Sequence, residues 1–266
     1  MNWIRIRSPR HIVGWSIILG IAGFALLGPL LIGRDPYNQN LAMALRPPSF
    51  EAPLGTDSFG RSVLARLAEA ARVSFGLAAL SVATAAVLGG LTGVAAAWWG
   101  GWRERLLSSF ADGVLAIPGL MLVVLLVSFA PGQFWLLYLA ISLTLWVEYF
   151  RVVRAVSKQV LGGSPVQASR LLGFDMLYVV RRHLLPEIAP LVLTLMTFGV
   201  ASAVLAIASL GYINIGLRPP AAELGQMMAE YLPLYQRAPW LLASPVALLI
   251  LAVLGLALLT SGERPE

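Results

Sequence analysis

The chain has 266 residues, 58% of them hydrophobic and 12% charged, with a mean hydropathy of +0.79. A soluble domain carries about 25% charged residues, so this composition excludes an ordinary soluble protein and points to the membrane. The net charge is +6 and there is no cysteine; disulfides and cysteine metal sites are excluded, and the basic residues gather at the ends of apolar runs, as membrane topology requires.

The N-terminus reads MNWIRIRSPRH, and an apolar run then covers residues 12–32. A signal peptide has a shorter apolar region and a small-residue cleavage site, so the run is a retained first span, long enough for a ~30 Å hydrocarbon core. In the loop that follows, Thr56-Asp57 precedes the amphipathic pattern Val63, Leu64, Leu67, Ala71. That predicts a short helix lying at the membrane surface, capped by Asp57.

The second span, residues 73–99, is rich in small residues. Gly89 and Gly93 form a GxxxG pair, which lets helix backbones approach closely inside a bundle. Runs at 113–130 and 134–150 are the third and fourth spans, and Pro118 predicts a kink in the third. Glu148 is the one acid inside a span, and an intramembrane carboxylate is a functional candidate by default. Arg151 and Arg154 follow it, so an ion pair at the membrane interface is the expected role, and transport is the alternative.

A polar interruption, SPVQASRLLGFDMLYVVRRHLLPE, runs from Ser164 to Glu187. Ser164-Pro165-Val166-Gln167 matches a capping box with Ser164 as N-cap, and Gly173 suits the left-handed residue that ends a helix. The helix between them would be about 12 Å long. Ala168, Leu171 and Leu172 form its apolar face, with Arg170 off it. Asp175 is placed to cap a second helix running through Tyr178, Arg181 and Arg182 to Leu185. A short capped helix with one apolar face either docks in a groove or lies on the bilayer with its arginines on lipid phosphates. Residues 188–211 and 240–260 are the fifth and sixth spans, with Pro190 near the start of the fifth.

With the N-terminus in the cytoplasm, the cytoplasmic segments hold Arg5, Arg7, Arg10, Arg103, Arg105, Arg151, Arg154, Lys158, Arg170, Arg181, Arg182 and Arg264. The other side holds Arg34, Arg46, Arg61, Arg66, Arg72, Arg218 and Arg237. The majority inside places both termini, and the polar interruption, in the cytoplasm. No GxxxxGK is present and Lys158 is the only lysine, so the chain is not a P-loop ATPase. His11 and His183 are solitary, which leaves no catalytic base and no histidine metal site; His183 reads as a helix C-terminal residue meeting carbonyls. No catalytic residue and no metal are expected.

Gln167-Ala168-Ser169, then three residues to Gly173 and twelve more to Pro186, resembles the EAA signature of ABC importer permeases, with Leu185-Pro186 at its end. Leu54-Gly55-Thr56-Asp57 with Gly60-Arg61 and Arg66 resembles the LGTDxxGRD segment of the peptide and nickel permeases. Gly100-Gly101-Trp102 with Asp112 and Pro118 resembles their GGW…D…P stretch, and Gly216, Pro219-Pro220 and Gly225 resemble their GLGxxPPxxxWG loop. The chain resembles the second permease subunit of a dipeptide, oligopeptide or nickel importer.

The resemblance implies an all-α membrane protein, a type I ABC importer bundle of six transmembrane helices in a bacterial inner membrane. Its organisation would be residues 1–72 (first span, outer loop and surface helix), a core at 73–260 with a coupling loop at 151–187, and a tail at 261–266. It implies a heterodimer with a second permease, two cytosolic ATPases that bind the ATP and Mg, an extracytoplasmic binding protein, membrane lipid as surroundings, no nucleic acid, and no cofactor in this chain. Gln167, Ala168, Ser169, Arg170, Leu171, Leu172 and Gly173 would form the coupling helix on an ATPase. The cargo would be a peptide, or a metal or metal-chelator complex. The chain departs from the pattern at Gln167 for glutamate, His183 for isoleucine, Leu224 for tryptophan, Tyr212-Ile213-Asn214-Ile215 for an SFLGL-like run, and SGERPE for an LRDALDP-like tail. An ion-gradient transporter, which would need buried acids or broken helices at the midplane, and a scaffold without cargo are the alternative functions.

Overall fold

The computed structural model describes residues 9–260. Arg5, Arg7, Arg264 and the tail at 261–266 lie outside the described residues. Helices dominate, in the order α1 (Pro9–Leu31), α2 (Val63–Trp99), α3 (Gly101–Leu115), α4 (Gly119–Ser128), α5 (Phe134–Leu161), α6 (Ser164–Leu171), α7 (Met176–Val179), α8 (Leu185–Tyr212), α9 (Leu224–Tyr231) and α10 (Pro239–Thr260). A π turn, Val180–Leu184, joins α7 to α8, so Met176–Tyr212 is one helix. Among the described residues, five helices are long and apolar enough to cross a membrane, and α3 with α4, bent by 84°, makes a sixth if the pair is one broken span. Lipid offers no partner for backbone N–H and C=O groups, so apolar runs of this length close their hydrogen bonds as helices.

The expected third span is not one helix. Ala116, Ile117 and Pro118 form a break, where Pro118 cannot donate to continue α3 and instead accepts from Leu122 N at the start of α4. Three other expectations are corrected. The amphipathic segment at 63–71 is not a separate surface helix: it is the first part of α2, with Val63, Leu67, Ala70 and Ala71 buried. Pro190 does not start the fifth span, which begins before it. Pro186 does not end the preceding helix either. In the π turn Leu185 N bonds Val180 O, five residues back, and this wider register admits the proline ring one residue later.

The helices form two compact units. Among the described residues, the first comprises 9–78, 127–134 and 200–260. Its α1 lies on α10, where a Cβ at Gly14 would stand 3.0 Å from Gly255 O. Ile21, Val63, Leu67, Leu224, Met227, Tyr231, Leu241 and Ala252 fill its core. The second unit comprises Ala79–Leu126 and Trp135–Gly199. There α2 lies parallel on α5: a Cβ at Gly89 would stand 2.5 Å from Tyr149 Cβ, and one at Gly93 2.9 Å from Phe150 O. The GxxxG pair serves the close approach its spacing suggests. Val153, Leu184 and Ile188 bring α5 against the π turn and α8.

Candidate functional site

The polar interruption folds into α6, a turn, and the start of the α7–α8 helix. Ser164 is not the N-cap. Gly163 takes that position with no side-chain cap, and Pro165 stands in the first turn. The capping box does not close: Gln167 Nε2 donates instead to Gly162 O at 3.1 Å. The C-terminal end is built as the spacing predicts. Gly173 has φ +81°, Gly173 N donates to Arg170 O at 3.0 Å and Phe174 N to Ser169 O at 3.1 Å, a Schellman closure that needs a left-handed residue at Gly173. Asp175 caps the next helix by accepting from Tyr178 N at 2.9 Å.

Three side chains hold α6 to its unit. Val166 and Ser169 are buried, and the Ser169 hydroxyl donates to Pro165 O and lies 3.0 Å from His183 Nε2. His183 therefore does not meet helix-end carbonyls, because its helix does not end there. Arg170 stacks over the Trp98 ring at 4.5 Å. Gln167, Ala168, Leu172 and Gly173 are exposed, and Leu171 is 90% exposed. A rigid eight-residue helix thus presents two leucines outward.

The other motifs build a buried frame in the first unit. Gly55 and Gly60 have positive φ, and a Cβ at Gly60 would run into Asn40 O. The Thr56 hydroxyl donates to Met43 O and accepts from Arg46 N. Asp57 does not cap a helix: it accepts from Phe59 N and Arg61 N, each at 2.9 Å, and pairs with Arg61 Nε at 2.6 Å. Arg61 and Arg66 both reach Glu230, at 3.1 and 2.9 Å. Leu54 is half-buried, packed against the same core. Glu223 caps α9 by accepting from Gly225 N and Gln226 N at 2.9 Å, and Ser74 Oγ donates to it at 3.1 Å. Burial pushes its carboxyl above the usual range, against the pull of those donors. Gly216 and Gly225 are buried where a Cβ would meet Gly211 and Ala208 O; Pro219 and Pro220, joined by a cis peptide, are exposed, and so is Pro186. Nothing in the local sequence around Glu230 marks it as the acid shared by two arginines.

In the second unit, the ion pair expected for Glu148 does not form. Arg151 pairs with Asp112 at 2.5 Å, and Arg154 and Lys158 pair with Glu104 at 2.5 and 2.6 Å. Glu148 is exposed on α5 with no hydrogen bond or ion pair among the described residues. Asp112 and Glu104 lie on α3, packed beside α5, and so capture the arginines that follow Glu148 in sequence.

Residues 74–262 match the family described as binding-protein-dependent transport system inner membrane component. The chain belongs to this family. It is a multi-pass inner-membrane permease of the ABC importer type. It is 31% identical to the dipeptide transport system permease protein DppC of Haemophilus influenzae, over 98% of this chain and 91% of that one. It is 29% identical to the oligopeptide transport system permease protein OppC of Bacillus subtilis, over 98% and 86%. A putative peptide transport system permease of Brucella suis is 30% identical, over 98% and 87%. The fold resembles that in an inward-facing structure of the MetNI methionine ABC transporter, with a TM-score of 0.54, 20% identity and coverage of 68% of this chain and 86% of that one.

Proposed function

We propose that this chain is one half of a peptide-importing permease pair. A second permease completes the path, an extracytoplasmic binding protein delivers the cargo, and two cytosolic ATPases, which hold the ATP and Mg, drive it. Both termini and the 151–187 coupling loop face the cytoplasm, with residues 1–72 as a flanking section, 73–260 as the core and 261–266 as a tail. The peptide cargo is supported by the relatives named for dipeptides and oligopeptides.

The coupling helix carries the reading. Leu171 and Leu172 stand exposed on a helix locked by a Schellman turn and by the Ser169–His183 contact. Exposed leucines on a rigid tip suit a preformed groove, because little conformational entropy is lost on docking. Nucleotide-driven movement of the ATPases then reaches α5 and α7–α8, the two elements that flank α6, and shifts the population between two states of the path. Leu171→Asp with Leu172→Asp is expected to leave expression and thermal unfolding of the chain unchanged and to abolish co-purification of the ATPases. Undiminished co-purification would contradict the proposal.

A further inference from the structure

The second unit carries an apolar groove of about 970 Å³ between α2 and the α7–α8 helix, which the coupling reading leaves without a role. Ala86, Gly90 and Ala95 line it from α2, and Leu177, Leu184 and Leu193 from α7–α8. A volume of this size with an apolar lining is that of a ligand site. Gly90 gives the groove room, since nothing lies within 4 Å of a Cβ built there. Asp175 is the one charged residue among those described that lines it, and its carboxylate is engaged in capping by Tyr178 N at 2.9 Å.

The groove is closed at one end. Beyond Ala86 and Leu193, α2 and α8 converge: a Cβ at Gly199 would stand 3.3 Å from Val82 Cγ2 and 2.7 Å from the Tyr149 hydroxyl. The other end lies one turn before Trp98, whose ring carries the Arg170 guanidinium at 4.5 Å. Trp99 and Trp102 carry Arg103 in the same way, the pairing of aromatic rings and cations that marks a membrane interface. From Ala86 to Ala95 is about 14 Å along α2 at 1.5 Å per residue, about half of a ~30 Å hydrocarbon core. From Met176 to Leu193 is about 25 Å along α7–α8, which takes in the headgroup layer as well. The groove is therefore blind and one leaflet deep. A spanning helix of the second permease needs a groove of full height. An acyl chain that starts at the interface and ends near the midplane fits this one.

Cations stand at the open end. Arg181 follows Leu177 by four residues and precedes Leu185 by four, and both leucines line the groove, so Arg181 falls on the same helix face. It is exposed and forms no ion pair among the described residues. An arginine so placed lays its stem on apolar surface and keeps its guanidinium among the headgroups, where its planar fork matches a phosphate. Basic positions between membrane helices on the cytoplasmic side bind anionic headgroups.

We propose that this groove binds one anionic phospholipid of the cytoplasmic leaflet, with its acyl chains between α2 and α8 and its phosphate on Arg181 and Arg170. The choice of leaflet rests on the cytoplasmic placement of α6 above.

Native mass spectrometry of the assembled transporter tests this, after exchange into detergent holding equal amounts of phosphatidylglycerol and phosphatidylethanolamine with the same acyl chains. The wild type is expected to retain one phosphatidylglycerol, preferred about tenfold, as hydrogen bonds to a charged group allow. Arg181→Gln should lose most of that preference. Gly90→Leu, whose side chain enters the groove, should remove both lipids and leave the subunit composition unchanged. Retention that Gly90→Leu does not alter means lipid on the outer surface only and overturns the proposal, as does equal retention of the two lipids by the wild type. A photoreactive side chain at Leu91, which also lines the groove, should couple to lipid; coupling to the second permease overturns the proposal. The full chain purified alone separates the two readings. Phosphatidylglycerol retained by it and lost in Gly90→Leu, with no ATPase co-purifying in any preparation, would count against the coupling reading and leave the lipid site standing. ATPases assembled on a chain that retains no lipid would do the reverse.

Discussion

Gly173 combines an unusual backbone with a functional position. At φ +81° a side chain costs about 1–2 kcal/mol, whereas asparagine tolerates this region better than other residues. ATPase coupling is therefore expected to fall in the order Gly173, Gly173→Asn, Gly173→Val, measured as nucleotide hydrolysis stimulated by loaded binding protein; equal activity in all three would show that the Schellman closure is dispensable. Arg66 is fully buried between Asp57 and Glu230. Removing one member of a buried ion network leaves an uncompensated charge, at a cost of about 3–5 kcal/mol. Arg66→Gln should lower the unfolding temperature of the purified chain sharply, and an unchanged melting curve would refute that role. His183 stands where the resembled family has isoleucine, and its ring now meets Ser169. His183→Ile should weaken the hold on α6 by about 1 kcal/mol, the worth of one hydrogen bond, read as faster amide exchange in residues 164–172.

The α2–α5 pair shows how one glycine-rich segment serves different faces. A Cβ at Gly89 overlaps Tyr149, whereas nothing lies within 4 Å of one at Gly90. Gly89→Ala is expected to destabilise the isolated chain by about 1–3 kcal/mol, as overpacking does, while Gly90→Ala leaves its unfolding unchanged; identical melting of the two variants would contradict the packing. The GxxxG spacing announced this contact, just as Gly173 and Asp175 announced the ends of α6 and α7. Other features were not legible, for physical reasons. Helix continuity across Pro186 depends on a π turn, which no local residue pattern marks. The capping box at Ser164 failed because Gly163 already supplies the extended residue before the helix. The partners of Arg151 and Arg154 lie about 40 to 50 residues away on α3, beyond any argument from neighbouring positions, which point to Glu148 instead.

At the scale of the whole molecule, a buried feature and an exposed one serve different ends. A buried charge frame around Asp57, Arg61, Arg66 and Glu230 fixes the loop before α2 against α9, with its charges matched and largely out of water. The tip of α6, with Leu171 and Leu172, stays exposed instead. The first suits structure and the second suits a partner, since an exposed group keeps its capacity for a new contact. The central claim is that work done by separate ATPases enters this permease through α6. A cysteine at Leu171 is the most direct probe, because the chain has none of its own. In membranes containing the assembled transporter, Leu171→Cys should cross-link to an ATPase subunit through a short cytoplasmic linker. A thiol reagent confined to the extracytoplasmic side should leave it unmodified. Modification from outside, or a cross-link only to lipid, would contradict the account.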